Sequence, residues 1–172
     1  MSFFDRRFLQ NRQAYFRQVG LFTLLLFGIL SVETLIAGSD VTRAVMVGSI
    51  ASTGFILFIS PFRPVAATRR VLGGYGWAIL IAGLASWVSH VLWGNHPSSA
   101  IFLLWALETA FVVGLCILAM AMTNTEHPPA AGAAFAIIGT GFDSALLLFL
   151  ITSILLLVLA QRSIRRYLVD LY

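Results

Sequence analysis

The stretch Ser144-Ala-Leu-Leu-Leu-Phe-Leu-Ile-Thr-Ser-Ile-Leu-Leu-Leu-Val-Leu-Ala160 carries no charge and only three hydroxyls. A helix of about 17–25 such residues is what crossing about 30 Å of hydrocarbon requires. Four further stretches of the same kind precede it. They are Val19–Ala37, interrupted only by Glu33; Val41–Ile59, with Arg43 near its start; Tyr75–Trp93; and Ser99–Met122, which carries Glu108. The expected fold is an all-α polytopic membrane protein. It has five long transmembrane helices plus two short, proline-initiated segments, and up to six crossings.

Composition agrees. The 172 residues are 59% hydrophobic and 10% charged, with a mean hydropathy of +0.93. Soluble domains hold about 45–50% apolar and about 25% charged residues. A chain of this length could not hide the excess from water. All eleven basic residues are arginine, so lysine Schiff-base and lysine-nucleophile chemistry is excluded. The net charge of +4 sits at the ends of apolar runs, which marks a cytoplasmic membrane face rather than a nucleic-acid surface. The one cysteine, Cys116, excludes an intrachain disulfide framework and reads as a small packing residue.

Residues 1–18 alternate Phe3, Phe4, Phe8, Tyr15 and Phe16 with Arg6, Arg7, Arg12 and Arg17. That pattern fits an amphipathic segment on the inner membrane surface, and no signal-peptide cleavage pattern is present. Residues 19–160 form the expected transmembrane domain, and 161–172 a basic C-terminal tail. The connectors from Ser60 to Gly74 and from Asn124 to Gly141 each open on prolines and end in closely spaced glycines. A shift of 67 positions lays Pro61 on Pro128 and Gly74 on Gly141. This suggests a span, broken segment and span used twice, the pattern that marks binding sites in transporters. Arginines before the first span and at Arg63, Arg69 and Arg70 place the N-terminus inside. Arg162, Arg165 and Arg166 ask for an inside C-terminus, which requires residues 128–141 to cross as a short helix. The expected location is a bacterial-type inner (plasma) membrane.

The run Thr125-Glu-His127-Pro128-Pro129-Ala130-Ala131-Gly132 resembles the signature of the HPP family of membrane proteins. Upstream, Gly48-Ser49-Ile50-Ala51-Ser52-Thr53 with Leu57-Phe58 is similar to a second family motif. Pro61, Pro64, Arg69, Gly73 and Gly74 fall on a third. The resemblance covers roughly Val41 to Ala160. Ala131 stands where the family has glycine, with Gly132 one place later. The resemblance implies a four-to-six-helix membrane protein, and it makes nitrite a candidate cargo through family members linked to nitrite transport.

Carrying a small anion requires donors that replace its water without trapping it. The expected substrate-binding set is Arg69, Arg63, Arg70, Ser52, Thr53, Asn124, His127, Ala130, Ala131 and Gly132. Ser49 lies in the same hydroxyl-rich stretch. Pro61, Pro64, Gly73, Gly74, Pro128 and Pro129 form the structural motif. Pro128 and Pro129 suit the first turn of a short helix. His127 and Glu108 are the proton-coupling candidates, since an acid inside a span costs at least about 2.5–3.5 kcal/mol and pairs or faces a cavity. Glu33 could meet Arg43, and His90, His96 and Asp40 lie near the outer face. No metal, cofactor or catalytic residue is expected, and no phosphate loop, zinc-binding helix or nucleophile elbow is present. The partners expected are the lipid bilayer, a small inorganic anion and further copies of the chain, with no nucleic acid. The competing reading is a non-transporting scaffold subunit of a larger membrane complex.

Overall fold

The computed structural model describes residues 10–36, 41–93, 102–141 and 143–171. Among them it is all helix and has no strand. The helices are α1 (Arg12–Ile36), α2 (Val41–Ile59), α3 (Thr68–Trp93), α4 (Phe102–Met122), α5 (Pro128–Thr140) and α6 (Ser144–Ile164). Three stretches are long and apolar enough to cross a membrane: Thr68–Leu92, Leu104–Met122 and Ser144–Tyr167. Ala44–Ile59 and Pro128–Thr140 are shorter apolar helices. Three of the five expected spans are thus long and apolar enough among the described residues, while α2 has the expected bounds Val41–Ile59 and α1 runs for 25 residues. Asp40 and His96 lie outside the described residues, as do the side chains of Glu33 and Arg43. Residues 10–18 belong partly to α1, which runs without a break across position 18.

The short helix α5 is the centre of the bundle. It packs against α2 and α3 most extensively and against α4 as well. Small residues make this close contact possible, with Ala130, Ala133, Ala134 and Ala136 all fully buried. Helix α6 packs on α2, with lesser contacts to α1 and α3. By contrast, α4 keeps a broad outward face of Leu104, Leu107, Phe111, Leu118 and Met122.

The two proline connectors are not equivalent. The first makes a 3-10 turn at Pro64–Ala66 and enters α3 at Thr68, seven residues before the expected start. Gly73 and Gly74 lie inside that helix and do not end it. The second is a separate 13-residue helix that stops at Gly141, whose φ of 73° and ψ of −173° suit glycine. The 67-residue correspondence therefore does not describe two like units. Asp143 then caps α6, accepting from the Ala145 and Leu146 N–H groups at 2.9 and 3.2 Å. Asp143→Ala is expected to cost about 0.5–2 kcal/mol, read as a lowered unfolding midpoint in detergent.

One end of the bundle gathers the chain's positive charge. The Leu171 N–H donates to Ile59 O at 2.9 Å, and Arg17 donates to Tyr167 O at 2.5 Å. Gln18 is fully buried; it donates to Phe58 O and Val169 O and accepts from the Val169 N–H. The Phe62 N–H donates to the Asp170 carboxylate at 3.0 Å, and the Arg165 guanidinium sits over the Phe62 ring. The start of α1, the α2–α3 turn and the end of α6 thus share one end, and the C-terminal residues are docked there. Among the described residues, Arg12, Arg17, Arg63, Arg69, Arg70, Arg162, Arg165 and Arg166 lie at this end.

Candidate functional site

The turn between α4 and α5 carries the His-Pro-Pro residues, and its shape follows from its sequence. Asn124 adopts φ 52°, a left-handed conformation that Asn tolerates. With it, the Thr125 N–H reaches Met120 O at 2.9 Å and the Asn124 N–H reaches Ala121 O at 3.3 Å. This is a Schellman end to α4 with asparagine in glycine's place. Residues 125–127 are then non-helical and lead inward to His127, which is fully buried. Its partner Thr53 lies six residues before the end of α2, about 9 Å below that end of the bundle.

Two glycines let the turn descend. A Cβ on Gly74 would stand 2.8 Å from His127 Cβ and 3.1 Å from Thr125 O. One on Gly73 would stand 2.5 Å from Thr125 Cγ2. Close approach is the role of this pair, and the backbone of α3 stays helical through both.

At the base of the turn four buried side chains form one network. His127 Nε2 meets Thr53 Oγ1 at 2.9 Å, and Thr53 Oγ1 meets Tyr75 Oη at 2.8 Å. Tyr75 Oη meets Ser49 Oγ at 2.7 Å, and Ser49 donates to Pro129 O at 2.7 Å. On the other side of the ring, His127 Nδ1 faces Val65 O at 3.3 Å. Helices α2, α3 and α5 and the α2–α3 turn each contribute.

Proton counting gives this network its chemical character. It has six contacts that each need one hydrogen, the sixth running from Tyr75 Oη to the Ser49 carbonyl at 3.2 Å. Three hydroxyls and a neutral imidazole supply only four. The Val65, Pro129 and Ser49 carbonyls can only accept, so each neutral tautomer of the ring leaves a contact without a hydrogen. With the hydrogen on Nε2, Nδ1 has none for Val65 O at 3.3 Å; with it on Nδ1, Thr53 donates to Nε2 and the shortfall moves to the hydroxyls. The imidazolium, with a hydrogen on each nitrogen, satisfies one more contact than either neutral tautomer. An unpaired charge is costly to bury, so the ring of the fully buried His127 is neutral in the empty site.

The other expected residues fall in different places. Arg69 donates to Thr123 O at 3.0 Å on the exposed face of the turn. Arg70 donates to Asn124 Oδ1 at 2.5 Å and pairs with Glu126 at 3.3 Å. Both guanidinium groups hold the outside of the turn, and Arg63 is exposed at the same end. Ser52 is exposed and donates back to Gly48 O. With Phe55, Pro128 and Pro129 it lines an open apolar groove of about 650 Å³. Ala130 is buried, and its N–H is committed to His127 O at 2.9 Å. Ala131 and Gly132 are half-buried, and Gly132 packs toward Ser49. Glu108 accepts from the Ser89 hydroxyl between α4 and α3, in the opposite half of the bundle. Thr53 and His127 are therefore joined, whereas the arginines, Asn124, Ser52 and Glu108 stand apart from them. No cluster of metal-ligating residues occurs among the described residues.

Tyr75 and Ser49 are the members that the sequence left out of the binding set. Spacing offered a signal for Ser49: it lies four residues before Thr53, on the same helical face, whereas Ser52 is turned about 100° away.

These features define a multi-pass helical membrane protein whose central short helix carries a buried, proton-deficient polar site. A family model described as "HPP, transmembrane region" matches residues 10–166, and the chain belongs to that family. No curated protein and no solved structure matches the chain.

Proposed function

We propose that this protein is a transmembrane carrier of a small inorganic anion, with nitrite as the candidate that the family suggests, coupled to a proton at His127. The observation that carries the reading is the shortage of hydrogens in the His127–Thr53–Tyr75–Ser49 network, which protonation of His127 reduces. An anion arriving beside the ring favours the imidazolium, and the proton favours the anion. Each lowers the electrostatic cost of burying the other. The pair then moves as a neutral unit.

The arginines have a separate task. Arg63, Arg69 and Arg70 surround the mouth of the turn and raise the local anion concentration. Arg70→Ala is expected to raise the half-saturating nitrite concentration several-fold at low salt, with the maximal rate unchanged. The difference should shrink at high ionic strength.

The orientation follows the same charges. The basic end faces the cytoplasm, with both chain ends there and six crossings in between. Helix α5 covers about 20 Å, and the non-helical residues 125–127 supply part of the remaining depth. Irregular backbone at that depth is tolerable because it is covered by protein.

Nitrite uptake into proteoliposomes, with and without an inward acid gradient, tests the proposal. Uptake should rise as the external pH falls, because the ring is neutral when the site is empty. Uptake no faster than in protein-free vesicles at every pH would leave the scaffold reading, which the uncovered apolar face of α4 favours.

A further inference from the structure

Among the described residues, two buried hydroxyls have no hydrogen-bond partner, Ser60 Oγ and Ser86 Oγ. Ser60 is 0% exposed and Ser86 4%. An orphaned buried hydroxyl is costly and calls for an unseen water or ion. Their positions relative to the His127 network give them a common meaning.

Ser60 follows α2, and its N–H still bonds Ile56 O at 3.1 Å, so it continues the helical turn. It lies seven residues past Thr53, which puts it within about 20° of the same helical line and about 10 Å nearer the basic end. Ser86 lies eleven residues past Tyr75 on α3. It too falls within about 20° of the same line, about 16 Å toward the opposite end. The two orphans extend the faces of the two helices that hold the network, one in each direction. Together they cover about 26 Å of an about 30 Å hydrocarbon layer. Between Tyr75 and Ser86 the same face of α3 carries Ala78 and Ala82, both fully buried. Alanine faces part with little side-chain rearrangement, and here they are shut.

We infer that Ser60 and Ser86 are the two outer stations of a translocation line through the bundle, each binding the hydrated anion or its accompanying water on one side of the His127 site. The inference rests on the anion-carrier reading for the identity of the ion. In this structure the line is closed at the alanine contacts.

Cysteine placed at each station tests it, in a Cys116→Ala background that removes the native thiol. A small, charged, membrane-impermeant methanethiosulfonate is applied to intact cells and to inverted vesicles. Ser60→Cys should react only from the basic end and Ser86→Cys only from the opposite end, each more slowly when nitrite is present. Ser60→Ala and Ser86→Ala should lower nitrite flux about tenfold, the loss of one hydrogen bond of about 1.4 kcal/mol, without lowering the unfolding midpoint. A merely packed hydroxyl would instead leave flux unchanged and raise the midpoint. Neither cysteine reacting from its own side, with both alanine variants carrying nitrite at the unmodified rate, would overturn the inference. Sided labelling in a protein that moves no nitrite would uphold the line and remove nitrite as its cargo.

Discussion

Replacing His127 by alanine is expected to lower proton-driven nitrite flux about 10- to 100-fold. The loss corresponds to one charge-assisted hydrogen bond of about 1.5–3 kcal/mol in the loaded state. The reason lies in the proton count. His127 is the only member of the network that can take a proton, and its two nitrogens face Thr53 and Val65 O. His127→Gln provides the sharper comparison. A glutamine amide can still donate to Thr53, so the fold should persist. It cannot be protonated, so whatever flux remains should lose its rise at low pH. Initial rates of uptake measured across the pH range, beside the circular dichroism of each variant, separate the two effects. A glutamine variant that keeps the acid stimulation would remove His127 as the coupling group.

Gly74→Ala is expected to damage the fold and the His127 site together. The added Cβ would meet the stem of His127 at 2.8 Å, the Thr125 carbonyl at 3.1 Å and Ala130 Cβ at 3.4 Å. None of these is the free end of a flexible side chain. Overpacking of this kind costs about 1–3 kcal/mol, and here the strain falls on the residue that holds the site. Flux should therefore fall together with the unfolding midpoint. Gly76→Ala, two residues on, is the control. Its new Cβ would meet nothing within 4 Å. Alanine also favours the helix by about 1 kcal/mol, so this variant should be neutral or more stable. Thermal unfolding in one detergent measures both. Equal midpoints for the two variants would contradict the close approach of α3 to the His127 turn.

The comparison between sequence and structure divides along physical lines. Helix α6 was legible to its first residue, because an uninterrupted apolar run begins at Ser144. The Asp143 cap that fixes that start is a local signal of the same kind. The start of α3 was placed seven residues late, at Tyr75. Two adjacent glycines read as a break when taken alone. In the bundle their lack of side chains is what admits Thr125 and His127, and packing outweighs propensity. His127 and Thr53 were legible through motif and hydroxyl content. Tyr75 was not, because an aromatic residue at the edge of an apolar run looks like an interfacial anchor. Only the fold turns its hydroxyl toward Ser49 and Thr53. The arginines were expected at the anion, yet Arg69 and Arg70 hold the outside of the turn. A buried guanidinium would need full pairing, and this bundle instead keeps Arg63, Arg69 and Arg70 at its basic end.

The most direct measurement is the number of protons taken up when nitrite binds. Calorimetric titration of the purified protein with nitrite, in two buffers of different ionisation enthalpy at one pH, gives that number without any transport assay. The His127 network predicts uptake of about one proton per nitrite near neutral pH, where the buried, unpaired ring of the empty site is neutral. It also predicts no uptake in His127→Gln. Nitrite binding with the same heat in both buffers, or with the same proton uptake in the glutamine variant, would contradict a proton-coupled anion site at His127.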